Sequence, residues 1–482
     1  MGKIQVSTPK GVREFSPRQV YHRNNLLTIF RTIFEQYGFA PFETGAMENL
    51  SVLEGKYGDE GDRLLFRILN SGDYLEGVQG DLREMPRKEL TRAICDKGLR
   101  YDLTVPFARY VATHWQELPH PFKRYQIQPV WRADRPQKGR YREFLQCDVD
   151  VVGSPSLLNE VELLSLVAEC FYELGIRIDI HINSRLILED IAEQMGHPEL
   201  LVPMTVVLDK LDKIGNNAVK KELEALGFSS ESVSELLNIC AEESVEATLE
   251  KISAWLPNTP KAQAHLADIL GIMDAIYPFL HALTSTEPSA YLEADRYCWP
   301  DEIKIHFTPS LARGLSYYTG VIFEVTARDA NMGAICSGGR YDNLTELFGL
   351  KDVCGVGLSF GIERIFDILS ERPEWDENYS MVDLLCGGED DKQLYCSLAI
   401  SRLARLANLR TLLLPDATKL KKRLEYADKN HIRWVLIDAD VDTVNIGMPI
   451  KVRDMDTGQE YKDDCEVVLA QLSEIKDEEL DD

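Results

Sequence analysis

The densest chemical signal lies between Lys123 and Arg142, where seven basic residues stand against the single Asp134. Two strand-like runs, Arg124–Arg132 and Tyr141–Val152, flank the charged loop Ala133–Arg140 and read as a hairpin. Alternate residues on a strand share a face, so Arg142, Phe144, Gln146, Asp148 and Asp150 point the same way. Arg132 stands at the loop end of the partner strand. Guanidinium forks bind phosphate oxygens in pairs, so a polyphosphate suits this cluster. Asp150, further along the face than Gln146, suits a cation such as an amine or imidazolium. A solvated sheet face is the competing reading.

Three other segments bear reactive or binding groups. Gly355-Val356-Gly357-Leu358-Ser359-Phe360-Gly361 misses a dinucleotide fingerprint because its third glycine comes one residue late. It leaves an apolar strand entering a helix with Arg364 in the first turn, where the helix N-terminus and the guanidinium both favour an anion. Simple strand–helix packing explains it equally. Arg313 to Gly320 places an arginine and the pair Tyr317-Tyr318 in a glycine-bounded turn, fit to read a polar ligand or to pack a loop. Leu99 to Thr104 is open in the same way. None of the nine histidines falls in a triad, and no HExxH or finger-like spacing offers a structural metal site.

The elements that must position these groups come next. The 482 residues are 44% hydrophobic and 27% charged, enough for two to four folded domains. The net charge of −26 argues against unspecific coating of nucleic acid or anionic membrane. No apolar run approaches the roughly 18 residues of a membrane span. Ten cysteines without a CxxC pair read as reduced cytosolic thiols. A helix starts after Ser16, with Pro17 in its first turn, Gly38 at its end, and Val20, Leu27, Phe30, Phe34 and Tyr37 on its apolar face. Ser71 to Lys97 reads as loop or small insertion, and roughly 185 to 295 as an all-helical insertion. Strands follow at Ile303–Phe307, Val321–Thr326 and Val353–Phe360, then a helix at Ile362–Leu369. Glu371 to Asn378 suits a linker into an α/β module. There, Ser401 to Asn430 carries eight basic residues against three acidic ones, a surface for RNA backbone or ordinary helix faces.

Together these segments resemble class II aminoacyl-tRNA synthetases, and within them the histidyl-tRNA synthetase family. Trp131–Asp134 with Gly139–Phe144 resembles motif 2 of the class, and Gly355–Arg364 resembles motif 3. Arg313-Gly314-Leu315 with Tyr317–Gly320, and Gly338–Asp342, are similar to two signatures peculiar to the histidine enzymes. The resemblance spans nearly the whole chain. It implies an α+β multidomain protein with a mixed, mainly antiparallel catalytic sheet flanked by helices. The catalytic core occupies 1–184 and 301–375, a helical insertion 185–300, and a C-terminal anticodon-binding α/β domain 381–475. A cytoplasmic homodimer without membrane contact is implied too.

The implied reaction joins L-histidine to ATP, with Mg2+, as histidyl-adenylate plus pyrophosphate. It then transfers histidine to the 3′ terminal adenosine of its tRNA. By the same resemblance Arg132 holds the α-phosphate, Arg140 the outer phosphates, Phe144 one face of adenine and Asp134 an adenine-side contact. Arg364 covers the other adenine face and reaches the γ-phosphate. Asp102, Thr104 and Gln146 bind the α-amino group, while Asp150 and Tyr318, with Tyr317 in the same pocket, take the imidazole. Arg313 bridges carboxylate and α-phosphate as the second catalytic arginine after Arg132. Arg135 and Gln137 match positions that read the acceptor end, and no protein metal ligand is implied. Three residues depart from the pattern: Gly45 for the motif 1 proline, Asp134 for glutamate, and Ser316 for aspartate. The alternatives are a catalytically silent regulatory or tRNA-sensing relative, and a class II ligase for another amino acid.

Overall fold

The computed structural model describes residues 6–54, 63–76, 78, 84–137, 139–242, 244–284, 299–312, 318–372, 380–439 and 448–481. Two compact units divide the chain, one of residues 1–15 and 21–369, the other of 16–20 and 370–482.

In the first unit the strands are β1 (Ala40–Pro41), β2 (Met47–Asn49), β3 (Arg67–Ile68), β4 (Lys97–Leu99), β5 (Phe122–Trp131) and β6 (Glu143–Val152). They continue with β7 (Ile178–Ser184), β8 (Ile303–Phe307), β9 (Val321–Ala327), β10 (Cys336–Arg340) and β11 (Gly355–Phe360). Among the described residues eight form one sheet, ordered β1-β5-β6-β11-β10-β9-β7-β8, and β2-β4-β3 form a small second one. Only the outer pairs β1·β5 and β7·β8 are parallel. The fold is thus the mixed, mainly antiparallel sheet that the sequence led us to expect.

One face of this sheet is an aromatic core. Phe30 and Phe34, from the helix Pro17–Gln36, meet Phe360 of β11 at 4.8 and 5.7 Å, and Phe171 meets it at 5.8 Å. All four rings are fully buried, each contributing about 1.5–3 kcal/mol. The helix begins with a reciprocal cap: Ser16 Oγ accepts from the Gln19 backbone, and the Gln19 side chain accepts from Ser16 N–H. Gly38, at φ 76°, ends it as expected. Val20 does not join the apolar face; it is 42% exposed, and Leu26 and Ile33 are buried instead.

Ser71 to Lys97 is not merely a loop. It contains the eight-residue helix Arg87–Ile94, none of whose residues is buried. Helices from Arg185–Gln194 to Pro260–Thr284 occupy the expected helical segment up to residue 284, interrupted at Gly215 (φ 76°) and Gly227 (φ 112°); its stretch 285–298 lies outside the described residues. They lie in the same compact unit as the sheet, and Pro260–Thr284 packs on the helix Leu158–Glu173. That 25-residue helix is long and apolar enough to cross a membrane, which corrects the expectation that no run approaches that length. One face of it, with Leu266, Ile269, Ile272, Met273, Ile276 and Leu280, is buried.

In the second unit β12 (Leu384–Cys386), β13 (Thr411–Leu413), β14 (Trp434–Ala439), β15 (Pro449–Asp454) and β16 (Glu460–Asp464) are ordered β13-β12-β14-β15-β16. The first three are parallel, and the antiparallel pair β15–β16 carried no signal that the sequence pattern revealed. Ile400, Trp434, Val452 and Leu469 centre the core on one face, and Ala427, Ile432 and Val435 that on the other. Arg423 leaves the expected basic surface: it is buried, with Nη1 donating to the carbonyls of Gly387 (2.6 Å) and Leu436 (2.9 Å). Lys419, Lys421, Lys422 and Lys429 stay exposed. Most of the expected linker, 373–379, lies outside the described residues.

Candidate active site

The face of β6 turned away from the aromatic core carries Phe144, Gln146, Asp148 and Asp150, the alternation expected of the hairpin. These residues line a cleft of ≈ 450 Å³. Strand register decides what joins them: β11 sets Gly357 opposite Asp150 and Ser359 opposite Asp148.

At one end the cleft is cationic. Arg132 donates from Nε to the Tyr101 carbonyl at 3.0 Å, and its guanidinium lies 4.4 Å from the Tyr101 ring and 5.1 Å from that of Phe144. Arg140 and Gln137 exchange backbone hydrogen bonds across the loop. Arg364 donates from Nε to Gly139 O (3.2 Å) and from Nη1 to Ala334 O, which ties its helix to that loop. Arg132, Asp134, Arg140, Phe144 and Arg364 all line the cleft. Arg135 and Gln137 are exposed on the loop outside it. Arg313 and Tyr317 lie outside the described residues.

Two arginines to which the sequence pattern assigns no role steady this end. Arg23 grips Glu363, next to Arg364, through both carboxylate oxygens at 2.7 and 2.8 Å, and Arg13 pairs with the same group. Glu363 also accepts from Leu145 N–H, while Arg13 reaches Asp367 at 2.9 Å. Burial, with Arg13 adding to it, pushes Arg23 down to about 10. Partners separated by more than 300 residues leave no local signal.

At the other end the groups are acidic and amide-bearing. Asp102 accepts from Val105 N–H at 3.1 Å, in the first turn of the helix Thr104–His114. Its loop is anchored by buried Arg100, which donates to the carbonyls of Pro129 (2.9 Å) and Thr44 (2.7 Å). Gln146 Nε2 lies 3.2 and 3.3 Å from the Asp148 oxygens and 3.3 Å from Ser359 Oγ. Asp150 accepts from the Tyr341 hydroxyl and faces Arg124 Nη2 at 2.7 Å. Asp102, Thr104, Gln146, Asp150 and Tyr318 line this end. Asp148, Tyr341 and Arg124 are groups here to which no motif assigns an individual role.

Glycine makes room for them. A Cβ on Gly355 would stand 2.5 Å from the Tyr341 ring, and one on Gly339 2.9 Å from that of Tyr318. Gly355 of β11 and Gly339 of β10 thus leave room for the rings of Tyr341 and Tyr318.

Burial pushes the Asp148 carboxyl up to about 7, with Asp150 adding to the rise and Arg124 opposing it. Burial raises Asp150 as well, against the pull of Arg124 and the Tyr341 hydroxyl. A carboxyl whose folded pKa exceeds its unfolded one holds more protons when folded, so stability falls as pH rises between the two. Asp148→Asn removes that loss. Its unfolding free energy relative to the parent is expected to climb from pH 4 to 7, by at most about 1.4 kcal/mol per pH unit, and to level above 7. A constant difference over the same range in calorimetry would refute the burial of a charge there.

A mixed sheet carrying a cationic hairpin, and beside it a strand that feeds an arginine-bearing helix, defines the catalytic core of a class II aminoacyl-tRNA synthetase. The chain matches the family model for histidyl-tRNA synthetase over residues 96–365. It is 44% identical to the histidine–tRNA ligase of Bacteroides fragilis, covering 96% of this chain and 98% of that one. With the Cytophaga hutchinsonii ligase the identity is 43%, over 97% and 99%. The crystal structure of histidyl-tRNA synthetase from a Nostoc species superposes with a TM-score of 0.77 at 27% identity, covering 98% of this chain and 100% of that one. The chain belongs to the histidyl-tRNA synthetase family.

Proposed function

We propose that this chain performs its family's reaction, ligating histidine to tRNA through a histidyl-adenylate made from ATP. The observation that carries this reading is a single cleft with an arginine-rich end beside Phe144 and an end lined by Asp102, Gln146, Asp150 and Tyr318. At the first, Arg132 takes the α-phosphate and Arg140 the outer phosphates. Phe144 and Arg364 sandwich adenine, and Asp134 touches its edge. At the second, Asp102, Thr104 and Gln146 take the α-ammonium, and Asp150 with Tyr318 and Tyr317 the imidazole.

The carboxylate of histidine then attacks the α-phosphorus and pyrophosphate leaves. Arg132 and Arg313 offset the charge that builds up there, so positioning and electrostatics supply the rate without a protein nucleophile. Magnesium arrives as part of the ATP substrate, held by its phosphates. Among the described residues no group of three His, Cys, Asp or Glu side chains converges to hold a metal. Arg135 and Gln137 meet the acceptor end, the helical segment 185–300 covers the acceptor arm, and the unit after residue 380 reads the anticodon. The working form is a cytoplasmic homodimer free of membrane.

The test is ATP–pyrophosphate exchange with each standard amino acid, followed by tRNA charging. Exchange is expected with histidine alone. Folded protein with magnesium that exchanges with none would replace this reading by the silent, tRNA-sensing one.

A further inference from the structure

Arg124 is a fully buried cation on β5, and the register of β5 with β6 places it directly across from Asp150. Its Nη2 stands 2.7 Å from Asp150 Oδ2, an ion pair without the alignment of a hydrogen bond. The other guanidinium nitrogens, Nε and Nη1, have no hydrogen-bond partner among the described residues, and Cζ lies 4.2 Å from the centroid of the Phe107 ring. The second oxygen of Asp150 is taken by the Tyr341 hydroxyl.

A buried arginine so poorly hydrogen-bonded is a costly way to fill space. Replacing the whole Arg124–Asp150 pair by apolar side chains of similar volume would cost little, and would often gain stability. The charge must therefore serve the carboxylate it faces. Left alone at this depth, Asp150 would take up a proton and turn from acceptor to part donor. Arg124 at 2.7 Å opposes that uptake, and with the carboxylate ionised the pair as a whole is neutral. A neutral ring that donates one N–H and offers one lone pair is then better suited to this corner than a cation.

We propose that Arg124 is a specificity-determining positioning residue of the histidine pocket, which acts through Asp150 to present a fixed, charge-balanced acceptor to one N–H of a neutral imidazole. The proposal rests on the functional reading above. Arg124 does not touch substrate; it sets the residue that does.

The test is histidine-dependent ATP–pyrophosphate exchange by the full chain. In Arg124→Leu the KM for histidine is expected to rise at least about tenfold, while the KM for ATP stays within about twofold. Arg124→Lys, which restores the charge, recovers part of the loss. In the double variant Arg124→Leu/Asp150→Asn, kcat/KM for histidine matches that of Asp150→Asn alone, because the first residue works through the second. Unchanged histidine KM in folded Arg124→Leu, or equal rises for histidine and ATP, overturns the proposal. If Arg124→Leu does not fold, the double variant decides, since it removes both buried charges. A further loss of about tenfold beyond Asp150→Asn would then overturn it. Parent protein that fails to exchange with histidine would overturn the functional reading itself, an outcome distinct from a parental result in Arg124→Leu.

Discussion

Arg132→Ala is expected to lower histidine-dependent ATP–pyrophosphate exchange by about 10³-fold or more, the scale of a lost arginine at a phosphoryl transition state. The reason is geometric as well as electrostatic. Arg132 is fastened by its Nε to the Tyr101 carbonyl and held beside two rings, so its charge waits in place before substrate arrives. Water that fills the gap must reorganise as charge develops on the α-phosphate, and that reorganisation is the cost the fixed guanidinium avoids. The fold should survive, because the side chain is only half-buried at the cleft wall. Histidine affinity, which the proposed function assigns to the other end of the cleft, should move by no more than a few-fold. Exchange within about tenfold of the parent would remove Arg132 from the reaction.

The second large effect is expected from one methyl group. In Gly357→Ala the new Cβ would stand 2.0 Å from Asp150 Oδ1, 2.6 Å from its Cγ and 3.0 Å from the Val149 carbonyl. The side chain of Asp150 must leave, which separates it from Arg124 and Tyr341 and strands a buried cation. Breaking one partner out of a buried pair costs about 3–5 kcal/mol. Soluble variant should melt far below the parent and activate histidine at least about 10²-fold less efficiently. Gly271→Ala is the control. It sits within the helix Pro260–Thr284 with nothing within 4 Å of the new atom, and should gain about 0.5–1 kcal/mol. Equal melting temperatures for the two variants would refute the close approach at β11.

Both predictions turn on how strands lie side by side, and this separates what local pattern reveals from what it hides. The hairpin's alternation alone puts Phe144, Gln146, Asp148 and Asp150 on one face, because side-chain period on a strand is a property of the backbone. The helix cap at Ser16 and the turn at Gly38 are legible for the same reason, being made by residues within a few positions of each other. The helix Arg87–Ile94 is easily missed because it is only eight residues long, its apolar period resting on Leu90, Ala93 and Ile94 alone. Arg423 counts as surface charge in the sequence because its burial depends on carbonyls of Gly387 and Leu436, brought to it by the second sheet.

By itself the sequence determined the chemistry on offer: which strand faces carry arginine, amide and carboxylate, where helices begin, and the motifs that mark the family. Only the tertiary structure decided how that chemistry is tuned. It put Arg124 across from Asp150, Arg13 and Arg23 on Glu363, and Gly357 where a methyl group cannot go. Those are relations of register and packing between distant segments. The charge a buried group keeps, and the space it occupies, depend on neighbours that no local pattern names.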